Sequence, residues 1–265
     1  MSEPHLGWMT LAATSLLVVA NALLSLKFHL GVGRSMLVAG LRMVVQLLLV
    51  GLLLKTIFAL GSPWLVGAVL LAMLGSAAWE TRSRQRRRFA GHWGYSLGAG
   101  TISIAVIPVT ALSMALLHPH PWFDPRFAIP MFGMVLGNAM SSVSVSLNAF
   151  SSAVVREQRG IEAQLALGAT RGQAIGPIRS DALKTGIIPV INQMTAAGII
   201  TLPGMMTGQV LAGMSPFEAA QYQVFVLFLI AGASGFGAAV TVIAASWRVT
   251  DQRHRLRLDR LLQSD

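Results

Sequence analysis

Cysteine does not occur in this chain, which excludes disulfide bridges and thiolate metal sites and leaves the redox compartment undecided. Charge is scarce as well: 11% of residues are charged and 54% are hydrophobic, against roughly 25% charged in a soluble domain. Mean hydropathy is +0.64, so the chain has too little polar surface to cover itself in water. Carboxylates are missing where they would do chemistry. No Asp falls inside an apolar stretch, and Glu80 and Glu218 stand at the edges of two of them. That excludes an aspartyl protease and removes the buried carboxylate on which ion-coupled carriers usually depend. No His-Glu-x-x-His is present, so a metalloprotease fails too. A phosphate loop is also missing, because the Lys-Thr pairs Lys55-Thr56 and Lys184-Thr185 follow Leu rather than Gly.

The apolar residues form runs of the ~17–25 residues a helix needs to cross the hydrocarbon layer. They predict an all-α, polytopic membrane protein with about seven transmembrane helices, near 8–26, 35–58, 64–79, 94–117, 130–150, 186–213 and 220–246. The third is short and is expected to borrow Glu80 and its neighbours or to sit tilted in thinner surroundings, while the sixth carries Pro189 and Pro203 and is expected to kink or break. Residues 1–265 read as one permease domain, and Met1 to Gly7, with Glu3 and no Lys or Arg, lacks the basic start of a cleavable signal. The first span is therefore expected to stay in the mature protein.

Orientation follows from the basic residues. With the N-terminus outside and the C-terminus cytoplasmic, the inner segments hold Lys27 and Arg34; Arg82, Arg84, Arg86, Arg87 and Arg88; Arg156, Arg159, Arg171, Arg179 and Lys184; and Arg248, Arg253, Arg255, Arg257 and Arg260. Those are seventeen of the twenty Lys and Arg residues; Lys55 and Arg126 fall outside and Arg42 within a span. The positive-inside rule selects that orientation, in a cell inner (plasma) membrane. The net charge of +10 is thereby explained by membrane anchoring, and nucleic acid is not expected as a partner.

The longest inner segment, 151–185, is the one stretch large enough to offer a structured surface. Within it Ile161, Leu165 and Gly168 recur at helical spacing, a narrow apolar stripe that Gly168 would end. Such a helix docks into a partner's groove or rests among headgroups. The spacing Glu162-Ala163-x-x-x-x-Gly168-Ala169, followed by Arg171, resembles the coupling segment of ABC transporter permeases. With Leu41 to Leu47, Gly137 to Ser142 and Asp181 through Gly208, the chain resembles the FetB-type permeases, a family of iron exporters with plant relatives linked to aluminium tolerance. The resemblance implies that Glu162, Ala163, Leu165, Gly168, Ala169 and Arg171 couple to an ATPase. It also implies two permease copies, two copies of a separate ATPase that holds ATP and Mg, and export of iron or another metal. No cofactor is bound by this chain and no catalytic residue is expected in it.

A path for cargo is sought among the polar residues of the spans. Asn138, Ser141, Ser142, Ser144, Ser146 and Asn148 sweep one side of the fifth, with Leu136, Ala139, Met140, Val143, Leu147 and Phe150 opposite. One side is expected to face lipid and the other protein or water, as path or as interhelical glue. Asn192, Gln193, Thr201, Met205 and Met206 surround the expected break, and Arg42 and Gln46 lie one turn apart in the second span. The methionines read mainly as packing, since their soft sulfur suits copper more than iron, and the metal ligands are left unknown. Gly232-Ala233-Ser234-Gly235 matches the serine motif of rhomboid proteases, but no His lies in a span to act as base. The run reads instead as a packing face through Ala231, Gly235 and Ala239. An ion-coupled carrier, or an ABC permease for a non-metal cargo such as a sugar nucleotide, is the alternative reading.

Overall fold

The computed structural model describes residues 7–29, 31–85, 87–91, 93–251 and 255–263; Glu3, Arg86 and Arg253, used above, lie outside them. Among the described residues nine α-helices and two three-residue strands follow in the order α1 Trp8–Lys27, α2 Gly33–Leu60, α3 Pro63–Ser83, β1 Arg87–Phe89, α4 Trp93–Leu117, α5 Pro125–Arg156, α6 Gln158–Ala166, α7 Arg171–Ala196, α8 Gly204–Leu211, α9 Pro216–Arg248 and β2 Leu261–Gln263. Six of them, α1 to α5 and α9, are long and apolar enough to cross a membrane. The all-α membrane class read from the sequence is the one observed. The third span does run on through Glu80, so that α3's 21 residues give ~31 Å at 1.5 Å per residue.

The expected span at 186–213 is not one helix. Its first part belongs to α7, which starts fifteen residues earlier at Arg171, and a turn over 197–203 separates it from the short α8. Pro177 and Pro189 both lie inside α7 without ending it. The break comes instead beyond Ala196, where Gly198 has φ +86° and the Thr201 and Ile200 amides both donate to the Ala196 carbonyl.

The chain divides into two compact units, Met1–Gly61 and Ser62–Asp265. In the first, α1 and α2 form a hairpin whose turn is fixed by the Ser25 hydroxyl, which accepts from the Val32 amide at 3.2 Å. Both helices are apolar around most of their circumference, the pattern of a helix whose solvent is lipid.

In the second unit α5 is the central helix, packed against α3, α4, α7 and α9. Its start is set by Asp124, whose carboxylate accepts from the Arg126 amide at 2.9 Å, and by Pro125 at the first helical position. The sequence reading gave α5 one lipid side, and the structure corrects this. Leu136, Ala139, Val143, Leu147 and Phe150 are buried on one side and Ser142, Ser144 and Ser146 on the other, because four neighbouring helices enclose it.

Two apolar clusters hold this unit. One lies toward the 118–124 end and gathers Ile102, Val106, Val135, Ala139, Val143, Val190, Val226 and Ile230. The other lies at the opposite, basic end and gathers Leu97, Phe150, Val154, Ala174, Ile178, Val242 and Val249 with Phe89 and Leu261 of the two strands. The strands pair antiparallel, Arg87 opposite Gln263 and Phe89 opposite Leu261, and so pin the chain's last described residues to the α3–α4 connection. Small residues set the closest helix approaches. A Cβ on Gly186 would lie 2.6 Å from Ser146 Cβ, and one on Gly237 would lie 3.2 Å from both Ala105 Cβ and Val143 Cγ2. The packing register of α9 is therefore Ala233, Gly237 and Thr241 rather than Ala231, Gly235 and Ala239, since nothing stands within 4 Å of a Cβ on Gly235.

Candidate functional site

At the basic end the chain leaves α5 at Arg156, passes through Glu157 and enters α6 at once. Residues 157–170 alone therefore separate the two long helices, so much of the expected 151–185 loop is helical extension of α5 and α7. Glu162 accepts a hydrogen bond from Gln158 Nε2 at 2.9 Å, one helical turn away. The end of α6 is closed by a Schellman arrangement, in which the Gly168 amide donates to the Leu165 carbonyl and the Ala169 amide to the Gln164 carbonyl. That geometry needs a left-handed residue, and Gly168 supplies it at φ +91°. Thr170 then starts α7 with a capping box: its hydroxyl accepts from the Gln173 amide, and Gln173 Oε1 accepts from the Thr170 amide at 2.9 Å. Two caps within five residues fix the tip of the helix pair.

The apolar stripe on α6 turns inward. Ile161 is 2% exposed and joins the basic-end cluster, and Leu165 packs against the same cluster. Glu162, Ala163, Gly168 and Arg171 are exposed, while Ala169 is half-buried. The outward face gains a residue the stripe did not include. Leu167 is 89% exposed, a large apolar side chain on the rim of the turn, and its position off the Ile161–Leu165 line is why the periodicity passed over it. Behind the tip, Arg171, Arg179, Ser246, Trp247 and Thr250 enclose a small basic cavity of about 80 Å³ between α7 and α9.

The polar residues of α5 separate into two kinds. Ser142 and Ser146 lie at the Gly186 crossing, where their small size lets α7 approach. Ser142 is buried and its hydroxyl has no partner among the described residues. Asn138 and Ser141 lie on the one strip of α5 left open, with Ser141 exposed and Asn138 half-buried and donating to the Met134 carbonyl at 2.8 Å. Asn148, farther along, donates to the Arg84 carbonyl at 3.1 Å and ties α5 to the end of α3.

On α7 the buried line is Ala174, Ile178, Ala182, Gly186 and Val190, so Asn192 and Gln193 fall on its exposed side. Antiparallel to α5 from the Gly186 crossing, they run toward the level of Asn138. Thr201 is exposed in the turn after α7, and Met205 and Met206 are half-buried in α8, Met205 packing on the core. Arg42 and Gln46 are exposed one turn apart on α2 in the hairpin unit. Among the described residues no three His, Asp or Glu side chains gather as a metal site.

A long apolar bundle with a capped helical tip at one end defines a class, the polytopic membrane proteins with a surface-exposed helix pair. Comparison with known proteins narrows it: residues 8–249 match the uncharacterised protein family UPF0014, and the chain belongs to that family. It is 40% identical over 228 residues, 85% of each chain, to the "UPF0014 membrane protein slr1647" of Synechocystis sp.. It is 30% identical over 252 residues, 95% of each chain, to the "Probable iron export permease protein FetB" of Escherichia coli. It is 33% identical over 231 residues to the "Protein ALUMINUM SENSITIVE 3" of Arabidopsis thaliana, 86% of this chain and 82% of that one. No solved structure matches.

Proposed function

We propose that the chain is the permease subunit of an ABC transporter, working as two copies with two copies of a separate ATPase and exporting iron or another metal. It spans the inner (plasma) membrane with its N-terminus outside and the α5–α6–α7 tip in the cytoplasm. The observation that carries the reading is the split use of α6: Ile161 and Leu165 lock the helix onto its own bundle, and Glu162, Ala163, Leu167 and Gly168 are left facing outward. A helix fastened on one face and unpartnered on the other is built to receive force from a second protein.

Force received there enters two helices at once. Ile161 shares a cluster with Phe150 and Val154 of α5 and with Ala174, Ile175 and Ile178 of α7, and a close-packed interior passes displacement on rather than absorbing it. α5 and α7 lead toward the open strip of Asn138 and Ser141 and the exposed Asn192, Gln193 and Thr201. A second copy of the chain covering that strip would turn it into an internal path, with amide and hydroxyl oxygens as transient ligands. The metal cargo is supported by the name of the Escherichia coli relative, a probable iron export permease.

The test is purification of the full-length chain from its own membranes, followed by transport in vesicles. Co-isolation of an ATPase is expected, with metal efflux that stops when that ATPase's phosphate-loop lysine is changed. Efflux that persists without any ATPase would refute the proposal.

A further inference from the structure

At the corner where α3 ends and α4 begins, Arg82, Gly91, Tyr95 and Ser96 line a cleft of about 460 Å³. Arg82 is half-buried and its guanidinium has no carboxylate partner among the described residues, and the Tyr95 and Ser96 hydroxyls make no hydrogen bond there. One cation and two hydroxyls on a single cleft form a donor set for a tetrahedral oxyanion. We propose that this cleft binds the phosphate of an anionic phospholipid headgroup.

The surrounding charge favours an anion. At this end Glu80, Asp251 and Asp259 are each held by their own arginine, Arg84, Arg255 and Arg257, at 2.9, 3.0 and 2.8 Å. Arg87, Arg88, Arg248 and Arg260 make no ion pair among the described residues, so the corner carries uncompensated positive potential. Arg248 lies instead over the Trp93 ring, 5.0 Å from its centroid, and Arg260 donates to the Arg248 carbonyl. Paired carboxylates cannot neutralise an incoming cation, but they leave the remaining arginines free to hold an anion.

The neighbouring aromatics select a lipid over a free ion. Trp79 is 63% exposed and stands three residues before Arg82, on the same face of α3. Trp93 and Tyr95 at the start of α4 and Trp247 at the end of α9 are exposed as well. Exposed indole and phenol rings at one level of an apolar bundle mark the depth at which headgroups lie, and basic pockets between helices at that depth take anionic lipids.

Native mass spectrometry of the full-length chain, released from nanodiscs of mixed phosphatidylcholine and phosphatidylglycerol, reads this directly. Retention of phosphatidylglycerol over phosphatidylcholine is expected, with Arg82→Gln weakening it about tenfold, the scale of one hydrogen-bonded charge. Arg255→Gln, whose guanidinium is already engaged by Asp251, should retain lipid like the wild type. Tyr95→Phe, which removes a hydroxyl without changing the fold, should weaken retention by a smaller factor and serves if Arg82→Gln does not fold. Equal loss in Arg82→Gln and Arg255→Gln would mean a diffuse field and overturn the site. So would wild-type retention in both Arg82→Gln and Tyr95→Phe. Competition by millimolar inorganic phosphate, to the same extent as by the lipid, would overturn the lipid assignment.

Discussion

Replacing Leu167 and Ile161 by alanine, one at a time, separates a docking residue from an anchoring one. Leu167 is 89% exposed, so its truncation removes no packing, and surface changes of this kind stay within about 0.5 kcal/mol in stability. Ile161 is 2% exposed inside the basic-end cluster, and truncating a buried Ile to Ala costs about 2–5 kcal/mol. Against a partner the order reverses in kind. A large apolar side chain seated in a groove is worth about 2 kcal/mol at a hot spot, or roughly thirtyfold in Kd. The assay is paired: thermal melting of the purified permease, and affinity for the ATPase that co-isolates with it. Leu167→Ala should melt like the wild type and bind roughly thirtyfold more weakly, and Ile161→Ala should melt at a clearly lower temperature. Wild-type affinity in Leu167→Ala would refute the assignment of the outward face of α6 as the docking surface.

The remaining predictions concern the bundle and its basic end. Gly186→Ala places a methyl 2.6 Å from Ser146 Cβ, so it should destabilise by about 1–3 kcal/mol, and Ser146→Gly in the same chain should recover part of the loss in the melting curve. Thr241→Val removes the buried hydrogen bond from Thr241 to the Thr101 hydroxyl at 2.8 Å, with an expected cost of about 0.6–1.7 kcal/mol between membrane helices, read by chemical denaturation in detergent. Asp259 is held down to about 2, from 3.8, mainly by its hydrogen bond to Arg257. A carboxylate with a lowered folded value lends stability that is present above the unfolded value of about 3.9 and is lost as pH falls toward the folded one. Protection of the Ala90 amide, which donates to the Arg260 carbonyl, taken relative to its intrinsic exchange rate at each pH, should therefore fall between pH 4 and pH 2, and Asp259→Asn should abolish that step.

Hydropathy made most of the bundle legible, because α1 to α5 and α9 carry long, predominantly apolar runs. It failed at α7. Arg179, Asp181 and Lys184 interrupt the run, so the helix start at Arg171 was invisible to a window that averages around the whole circumference. Arg179 is half-buried and the other two are exposed, whereas the buried line Ala174, Ile178, Ala182, Gly186 and Val190 is continuous. The end of α6 could be read because one residue type, glycine at Gly168, satisfies a local backbone requirement. The faces of α5 could not, since four neighbouring helices bury its apolar side and leave open only the strip of Asn138 and Ser141, and serine serves there for its size at Ser142 and Ser146 as much as for its hydroxyl. The β1–β2 pairing was out of reach altogether. It joins Phe89 to Leu261 across most of the chain, and three-residue strands carry no periodicity from which to infer a partner.

Every functional step above requires the α6 tip and ATP to share a compartment, and the absence of cysteine makes that requirement measurable. Any introduced thiol is the only one in the chain. Leu167, 89% exposed at the tip, and Trp122, 74% exposed in the connection between α4 and α5, lie at opposite ends of the bundle; a cysteine at Leu167 disturbs no packing, and one at Trp122 gives up the edge contact with the Phe123 ring. In intact cells a membrane-impermeant maleimide should label Trp122→Cys and leave Leu167→Cys untouched until the membrane is opened. The reverse pattern would put the docking helix beyond the reach of any cytoplasmic ATPase. The positive-inside argument would then fail together with the permease reading, because seventeen basic residues cannot anchor one side while the helix they flank works on the other.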